Sequence, residues 1–342
     1  MIDSMVSKGI IPDFLLRKGI NNLLKKRLED EYGDQFDDTE RKRHRMVKEL
    51  SESPVAIETD KANDQHYMVP PEFFLNSLGS RLKYSCAHWD KATNLDEAEL
   101  EMLELTIKRA GIQDGDKILE LGHGWGAITL FMAERFPKSS ITAVSNSKFQ
   151  GDFILDRAKE KGLTNIKINT ADVTNLQMEE KFDRVISVEM FEHMRNYKEL
   201  LKRIGSWLNP KGTLFVHIFV HKEISYKFEV VDETDWMSKY FFSGGIMPSE
   251  HLLYYFKDDM QVEQHWRVNG THYGKTARGW LNKMDANKET IMNVFNKHYP
   301  KGEAVKWFNY WRIFFMSCEE LWNYKRGTEW FVGHYLLKKR DL

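Results

Sequence analysis

Short apolar runs alternate with amphipathic stretches along residues 117–220 of this 342-residue chain. Lys117 to Leu121 (KILEL) predicts a first strand and Ala127 to Phe136 (AITLFMAERF) the helix after it. Ile141 to Val144, Ile166 to Asn169 and Arg184 to Val188 predict three more strands. A fifth covers Gly212 to Val220, reached through an Asn209-Pro210-Lys211-Gly212 turn. Runs of this length separated by helical segments argue for βαβ units, because a parallel sheet needs crossovers that cover its faces. Strand character returns at Val262 to Val268 and Trp330 to Leu337. The expected fold is therefore α/β and Rossmann-like, with a mostly parallel seven-stranded sheet.

Residues 1–100 precede this alternation and read as an N-terminal helical cap or lid, and residues 101–342 as the core. In the cap, Phe14, Leu15, Leu16, Ile20, Leu23, Leu24 and Leu28 lie among Arg17, Lys18, Lys25, Lys26 and Arg27. A helix packed on the core is the favoured reading; a basic amphipathic helix on an anionic membrane surface is the alternative. Thr39 to Lys61 is highly charged and reads as a solvated helix or linker. After the fifth strand, residues 221–256 form an insertion rich in aromatics, with Tyr226, Phe228, Trp236, Tyr240, Phe241 and Phe242 ahead of Gly244-Gly245. A helix at 303–324 repeats Trp307, Tyr310, Trp311, Phe314, Phe315, Cys318 and Trp322 at three- and four-residue spacing, which reads mostly as core. Ligand cavities draw on the same residue types, so part of it can line a pocket.

Composition narrows the partners. A net charge of −1 gives no bulk attraction to nucleic acid. The two cysteines, Cys86 and Cys318, are too few for a disulfide framework or a zinc site, which suits a reducing compartment. No metal is expected. The N-terminus lacks an apolar targeting segment and no run approaches about 18 apolar residues, so a soluble, cytoplasmic protein is expected, as monomer or homodimer.

The candidate chemistry begins at Glu120-Leu121-Gly122-His123-Gly124-Trp125-Gly126, a strand-to-helix turn. Alternate glycines allow positive φ and let a ligand approach the backbone, although many tight turns use glycine for conformation alone. Glu120 sits at the strand's carboxyl end, where open α/β sheets collect ligands. A dinucleotide fingerprint would place the third glycine one position later and an acidic residue after the second strand. Here that strand ends in Ser145-Asn146-Ser147. A pyrophosphate-bearing cofactor is disfavoured, and a smaller adenosyl ligand such as S-adenosylmethionine fits better. Asp172, after the third strand, suits an adenine amino group or, more simply, a local cap. His123 reads as packing.

Several further motifs accompany this turn. They are His66-Tyr67, Leu82 to Cys86 (LKYSC), Asn146-Ser147-Lys148 with Gln150, Glu189 to Met194 (EMFEHM), and Val216 to Phe219 with His221-Lys222. Asp235-Trp236-Met237 through Phe242, Trp266 to Gly270 with His272-Tyr273, and Trp330 to Lys338 follow. Together they resemble the cyclopropane fatty acid synthase superfamily and, within it, the plant coclaurine N-methyltransferase group. The resemblance implies a class I S-adenosylmethionine-dependent methyltransferase fold in which Tyr84, Ser85, Gly122, Gly124, Asn146, Ser147, Gln150, Asp172 and Val173 surround the cofactor; Glu120 and Trp125 are expected there from their place in the glycine turn. In lipid-modifying members it implies a bicarbonate held by Cys86, Glu192, His217, Phe219 through its backbone, and Tyr273. In alkaloid N-methyltransferases it ties Glu189 and the Glu192-His193 pair to the substrate amine. Cys318 occupies a position suggested for a nucleophile, though its place on the aromatic stripe gives a small buried hydrophobe instead. Met68 departs from the pattern, which has a carboxylate there, and puts the familiar benzylisoquinoline substrates in question.

Methyl transfer from a sulfonium is an in-line displacement that needs a lone pair held near the methyl carbon. An aliphatic amine is protonated near neutrality, so a base is needed, and an imidazole with a pKa of about 6.5 such as His193 suits that task. Glu192 or Glu189 can steady the cation; the plainer alternative has them opening a helix. His217, inside an apolar strand, reads as a neutral core histidine unless the resemblance carries, and Tyr273 as a hydroxyl at the pocket or a core tyrosine. The leading expectation is N-methylation of a small amine, aromatic or benzylisoquinoline-like. The alternative is cyclopropanation of unsaturated phospholipid acyl chains, which alone would call for bicarbonate and membrane contact. A non-catalytic adenosyl-binding protein is the third.

Overall fold

A computed structural model describes residues 2–33, 36–57, 69–230 and 235–340; His66, Tyr67 and Met68 lie outside the described residues, as does the end of the charged 39–61 stretch. The chain opens with α1 (Ile2–Ser7), α2 (Asp13–Tyr32), α3 (Phe36–Glu52), α4 (Pro71–Leu75) and α5 (Leu95–Ala110). Then come β1 (Lys117–Leu121), α6 (Ala127–Arg135), β2 (Ser140–Ser145), α7 (Lys148–Glu160), β3 (Ile166–Thr170), β4 (Phe182–Val188), α8 (Tyr197–Trp207) and β5 (Leu208–His221). β6 (Tyr226–Lys227), α9 (Trp236–Tyr240) and β7 (Ile246–Met247) form the insertion. The chain closes with β8 (Met260–Val268), α10 (Gly270–Ala286), α11 (Lys288–His298), α12 (Ala304–Asn323) and β9 (Trp330–Lys339).

The seven-stranded sheet has the order β3-β2-β1-β4-β5-β9-β8. β1 to β5 pair in parallel, and β9 runs antiparallel between β5 and β8. The central strands are apolar because helices cover both faces, which removes the need for alternation. α8 shows the complementary pattern, burying Leu200, Leu201, Ile204 and Trp207 on one stripe with Asn196 accepting from the Glu199 N–H as its cap.

Three segments differ from the sequence reading. Residues 209–212 are not a free turn but part of β5, whose first residue Leu208 pairs with Phe182 across a register shift. Glu189 to Met194 forms one 3₁₀ turn, Phe191–His193, rather than a helix start. Between β8 and β9 there are three α-helices, not one, and a 3₁₀ turn at Tyr324–Gly327. α10 and α11 were obscured because their apolar positions are interspersed with Lys, Arg and Asn, whereas the stripe of α12 is continuous. That stripe is largely buried: Trp311, Phe315 and Met316 are fully enclosed and pack against Phe73 and Phe74 of α4 in one continuous core.

Candidate active site

The strand order reverses between β1 and β4, and both strands end at one cavity, as expected of an open α/β sheet. This cavity measures about 160 Å3 and is lined by Tyr84, Ser85, Glu120, Gly122, Gly124, Trp125, Asn146, Gln150, Asp172 and Val173. Of the residues expected around the cofactor, Ser147 is the exception: it caps α7, accepting from the Gln150 N–H, and does not line the cavity. Gly122 and Gly124 have φ of 85° and 48°. A Cβ on Gly122 would come within 3.0 Å of Met190, whereas one on Gly124 would project into open space. Gly122 thus serves packing, and Gly124 leaves room for a ligand.

The cavity walls hold unsatisfied polar atoms. Glu120 is buried, accepts from the Thr129 hydroxyl at 2.6 Å through one oxygen, and leaves the other without a partner. Burial pushes its pKa up to about 8. The Gln150 amide is enclosed with neither its oxygen nor its nitrogen bonded, and His123 Nε2 is likewise unpaired. Orphaned groups of this kind are costly unless a polar ligand completes them. Asp172 serves its local turn, accepting from the Thr174 N–H at 2.7 Å, while also lining the cavity. These residues fit an adenosyl ligand bearing an ammonium group.

One wall comes from the loop between α4 and α5. Glu99 of α5 accepts from the N–H groups of Gly79 and Arg81 at 2.9 and 3.0 Å, pinning the turn in which Leu82 takes a φ of 54°. Lys83 then points inward, fully enclosed, and donates to the Cys86 carbonyl at 2.7 Å and to the Ser85 hydroxyl. Burial lowers its pKa, with the nearby Glu189 charge opposing.

A second cavity, of about 130 Å3, lies beside the first and shares Tyr84, Glu189 and His193 with it. Its other walls are aromatic, including Phe219, Phe242, Tyr273, Trp280 and Trp322, with Glu192 and Cys318 among them. The aromatic helix and the insertion both contribute, so part of the predicted stripe does line a pocket. His193 packs against Phe242 at 4.9 Å between ring centroids.

Glu189 anchors the shared wall. Its backbone takes a φ of 48° and its N–H donates to the His217 carbonyl at 2.8 Å. Its carboxylate accepts from the Cys86 N–H at 2.9 Å and the Tyr273 hydroxyl at 2.6 Å, and lies 3.2 Å from His217 Nε2. Cys86, His217 and Tyr273, which the lipid reading groups with Glu192 around a bicarbonate, here assemble around the Glu189 carboxylate. Positive φ at a non-glycine residue is strained, and such strain persists only where surrounding contacts over-determine it.

Glu192 is 1% exposed and has an oxygen with no partner. Burial and the neighbouring Glu189 raise its pKa well above the carboxylate range. Burial raises Glu189 as well, with Lys83, the Cys86 N–H and the Tyr273 hydroxyl opposing that rise; of two neighbouring carboxyls that do not both ionise readily, these donors favour the charge on Glu189 and the proton on Glu192. Burial and Glu189 also push the Cys318 thiol far up, so it stands as a neutral wall group and supplies no nucleophile. His217 is held well below its ordinary value by burial and by Lys83 and Arg109, and is neutral. Lys83, Glu99, Arg109 and His334 were missed as site residues. His334 carries the same signal as His217, a histidine inside an apolar strand; the others carry none.

Fold and cavity together define a class of enzyme, the S-adenosylmethionine-dependent methyltransferases. More particularly, residues 56–326 match the mycolic acid cyclopropane synthetase family, to which this chain belongs. The chain is 39% identical over 337 residues to (S)-coclaurine N-methyltransferase of Thalictrum flavum subsp. glaucum, covering 97% of this chain and 93% of that protein. It is 40% identical over 339 residues to the Papaver somniferum enzyme of the same name, covering 97% and 96%. Among solved structures, coclaurine N-methyltransferase bound to N-methylheliamine and S-adenosylhomocysteine superimposes with a TM-score of 0.95 at 35% identity over 99% of both chains. Among the described residues, no helix is long and apolar enough to cross a membrane.

Proposed function

We propose that this protein N-methylates a small aryl-alkyl amine in the second cavity, with Glu189, Glu192 and His193 handling the amine. The observation that carries this reading is the shared wall: the residues dividing the two cavities are the candidate base and the anchored carboxylate. When bound in the first cavity, S-adenosylmethionine supplies the methyl group. Glu192, held protonated by burial and by Glu189, releases its proton to solvent as an ammonium enters and becomes its counter-ion. The aromatic walls add cation–π attraction of roughly 0.5–2 kcal/mol. His193 then takes the proton that exposes the nitrogen lone pair, and Glu189, held by its donors, keeps negative potential beside the transient imidazolium. The aromatic enclosure excludes water and fixes the approach.

The likeness to the coclaurine N-methyltransferases supports an amine acceptor. So does Glu189 itself, because its carboxylate occupies the donors that the lipid reading assigns to bicarbonate. The test is turnover of labelled S-adenosylmethionine with a panel of aryl-alkyl amines and, separately, with unsaturated phospholipid vesicles. Methylated amine formed in plain buffer, unaffected by vesicles, is the expected result, and His193→Ala should depress turnover far more than cofactor affinity. Cyclopropane product with no amine turned over would reverse the assignment.

A further inference from the structure

His217 on β5 and His334 on β9 are direct partners in the antiparallel register. Their rings meet, with His334 Nε2 2.9 Å from His217 Nδ1. On the far side, the half-buried Arg109 of α5 brings its guanidinium to 2.7 Å from His334 Nδ1, while resting 5.1 Å above the Trp266 ring. On the near side, His217 Nε2 faces Glu189 Oε1 at 3.2 Å. Four side chains thus form one line from α5 to the wall between the cavities.

This line has a single donor direction. A guanidinium carries five N–H donors and no acceptor, so His334 Nδ1 must accept and its proton must sit on Nε2. That N–H donates to His217 Nδ1, which puts the His217 proton on Nε2, aimed at Glu189. Burial, with Lys83, Arg109 and His88 as neighbouring cations or potential cations, keeps both rings neutral. Without a fixed donor at the far end the pair has a reversed arrangement, in which His217 turns a lone pair towards a carboxylate. We propose that Arg109 is a positioning residue: a remote, fixed donor that sets the tautomers of His334 and His217 and thereby presents an N–H to Glu189.

The activity part of the test rests on the proposed amine chemistry; the tautomer part does not. Long-range proton–nitrogen correlation spectra of histidine-labelled protein should show both rings as neutral Nε2–H tautomers between about pH 6 and 8. Arg109→Met keeps an apolar stem over Trp266 and removes the donor. It should lower the Nε2–H population of His217 and cut kcat for the amine about tenfold or more, with S-adenosylhomocysteine affinity within about twofold. Arg109→Lys should restore most of both signals. A wild-type His217 found as the Nδ1–H tautomer or as an imidazolium overturns the proposal, as does an Arg109→Met protein that keeps the wild-type tautomer. Should Arg109→Met lose S-adenosylhomocysteine binding through misfolding, His334→Phe breaks the same line with Arg109 in place, and retention of the His217 Nε2–H there overturns it equally. Absence of amine turnover by the wild type counts against the proposed function and leaves the tautomer result standing.

Discussion

The Tyr273 hydroxyl donates to Glu189 Oε2 at 2.6 Å and closes the cradle around a carboxylate in the wall between the two cavities. The tyrosine ring does not depend on that bond for its position, since it stacks on Trp322 at 4.7 Å with the planes 3° apart. Tyr273→Phe therefore removes a donor and little else. A hydrogen bond to a charged group contributes about 1.5–3 kcal/mol, so kcat/KM for the amine should fall about 10- to 100-fold. Steady-state kinetics measures this, with calorimetry showing S-adenosylhomocysteine affinity unchanged. A kcat/KM equal to wild type would mean that Glu189 needs no such support.

Glu192→Gln separates stability from function. Its pKa in the folded protein is raised by burial and by Glu189. The contribution of such a group to stability is present below the ordinary carboxylate range and is lost as pH rises through the raised value. The variant cannot ionise, so near neutral pH it should melt at a higher temperature than wild type, and the difference should close near about pH 4. The same change removes the counter-ion for an ammonium, and KM for the amine should rise about tenfold or more. Thermal melts at both pH values and amine titrations check the two halves. A variant that is no more stable at neutral pH would place the charge on Glu192 instead.

Most of this architecture was legible because burial on both faces writes itself into sequence as short apolar runs. The strand ends at Leu121 and Val188 lie where those runs stop, and they locate the cavity. Ten of the eleven predicted cofactor residues line it, Ser147 being turned instead to capping its own helix. The acceptor side was less legible. Glu189 and Glu192 are three residues apart in one motif, and nothing local tells which of them receives donors from Cys86, on the loop before α5, and Tyr273, on α10. That choice is made by the left-handed backbone at Glu189, which no residue preference announces. Lys83 and Arg109 were unreadable for a related reason: a buried cation looks like any surface cation until the fold supplies its partners.

Glu120 links cofactor binding to pH. Its pKa is raised to about 8 from 4.5 by burial. Its stabilising contribution is thus complete below the lower value and is lost as pH rises towards the upper one. A cationic cofactor placed against its unpaired oxygen favours the ionised form, so binding releases a proton throughout that window. Affinity for S-adenosylmethionine should tighten from about pH 5.5 to 7, below the range in which an α-amino group titrates. Calorimetry in buffers of different ionisation enthalpy reports the released proton directly. Glu120→Gln should flatten the slope and abolish the release; if the release survives, another group is its source.

Glu189→Gly tests whether the cradle is an anion site in its own right. Glycine takes a φ of 48° without strain, so the backbone that Glu189 is forced to adopt is kept. Removal of the side chain leaves the Cys86 N–H, the Tyr273 hydroxyl and His217 around a space the size of a carboxylate. Amine methylation should fall by about 100-fold or more, in line with losing a charge that steadies a developing cation. Formate or bicarbonate should restore part of it, and the rescue should saturate with concentration, because a planar anion can accept the same hydrogen bonds. Glu189→Gln should not be rescued, since its amide still fills the space. Rates measured against added anion at constant ionic strength, with chloride as the control, decide between a specific site and screening. A linear response, or one that chloride matches, would show that the three donors serve only to brace the native side chain.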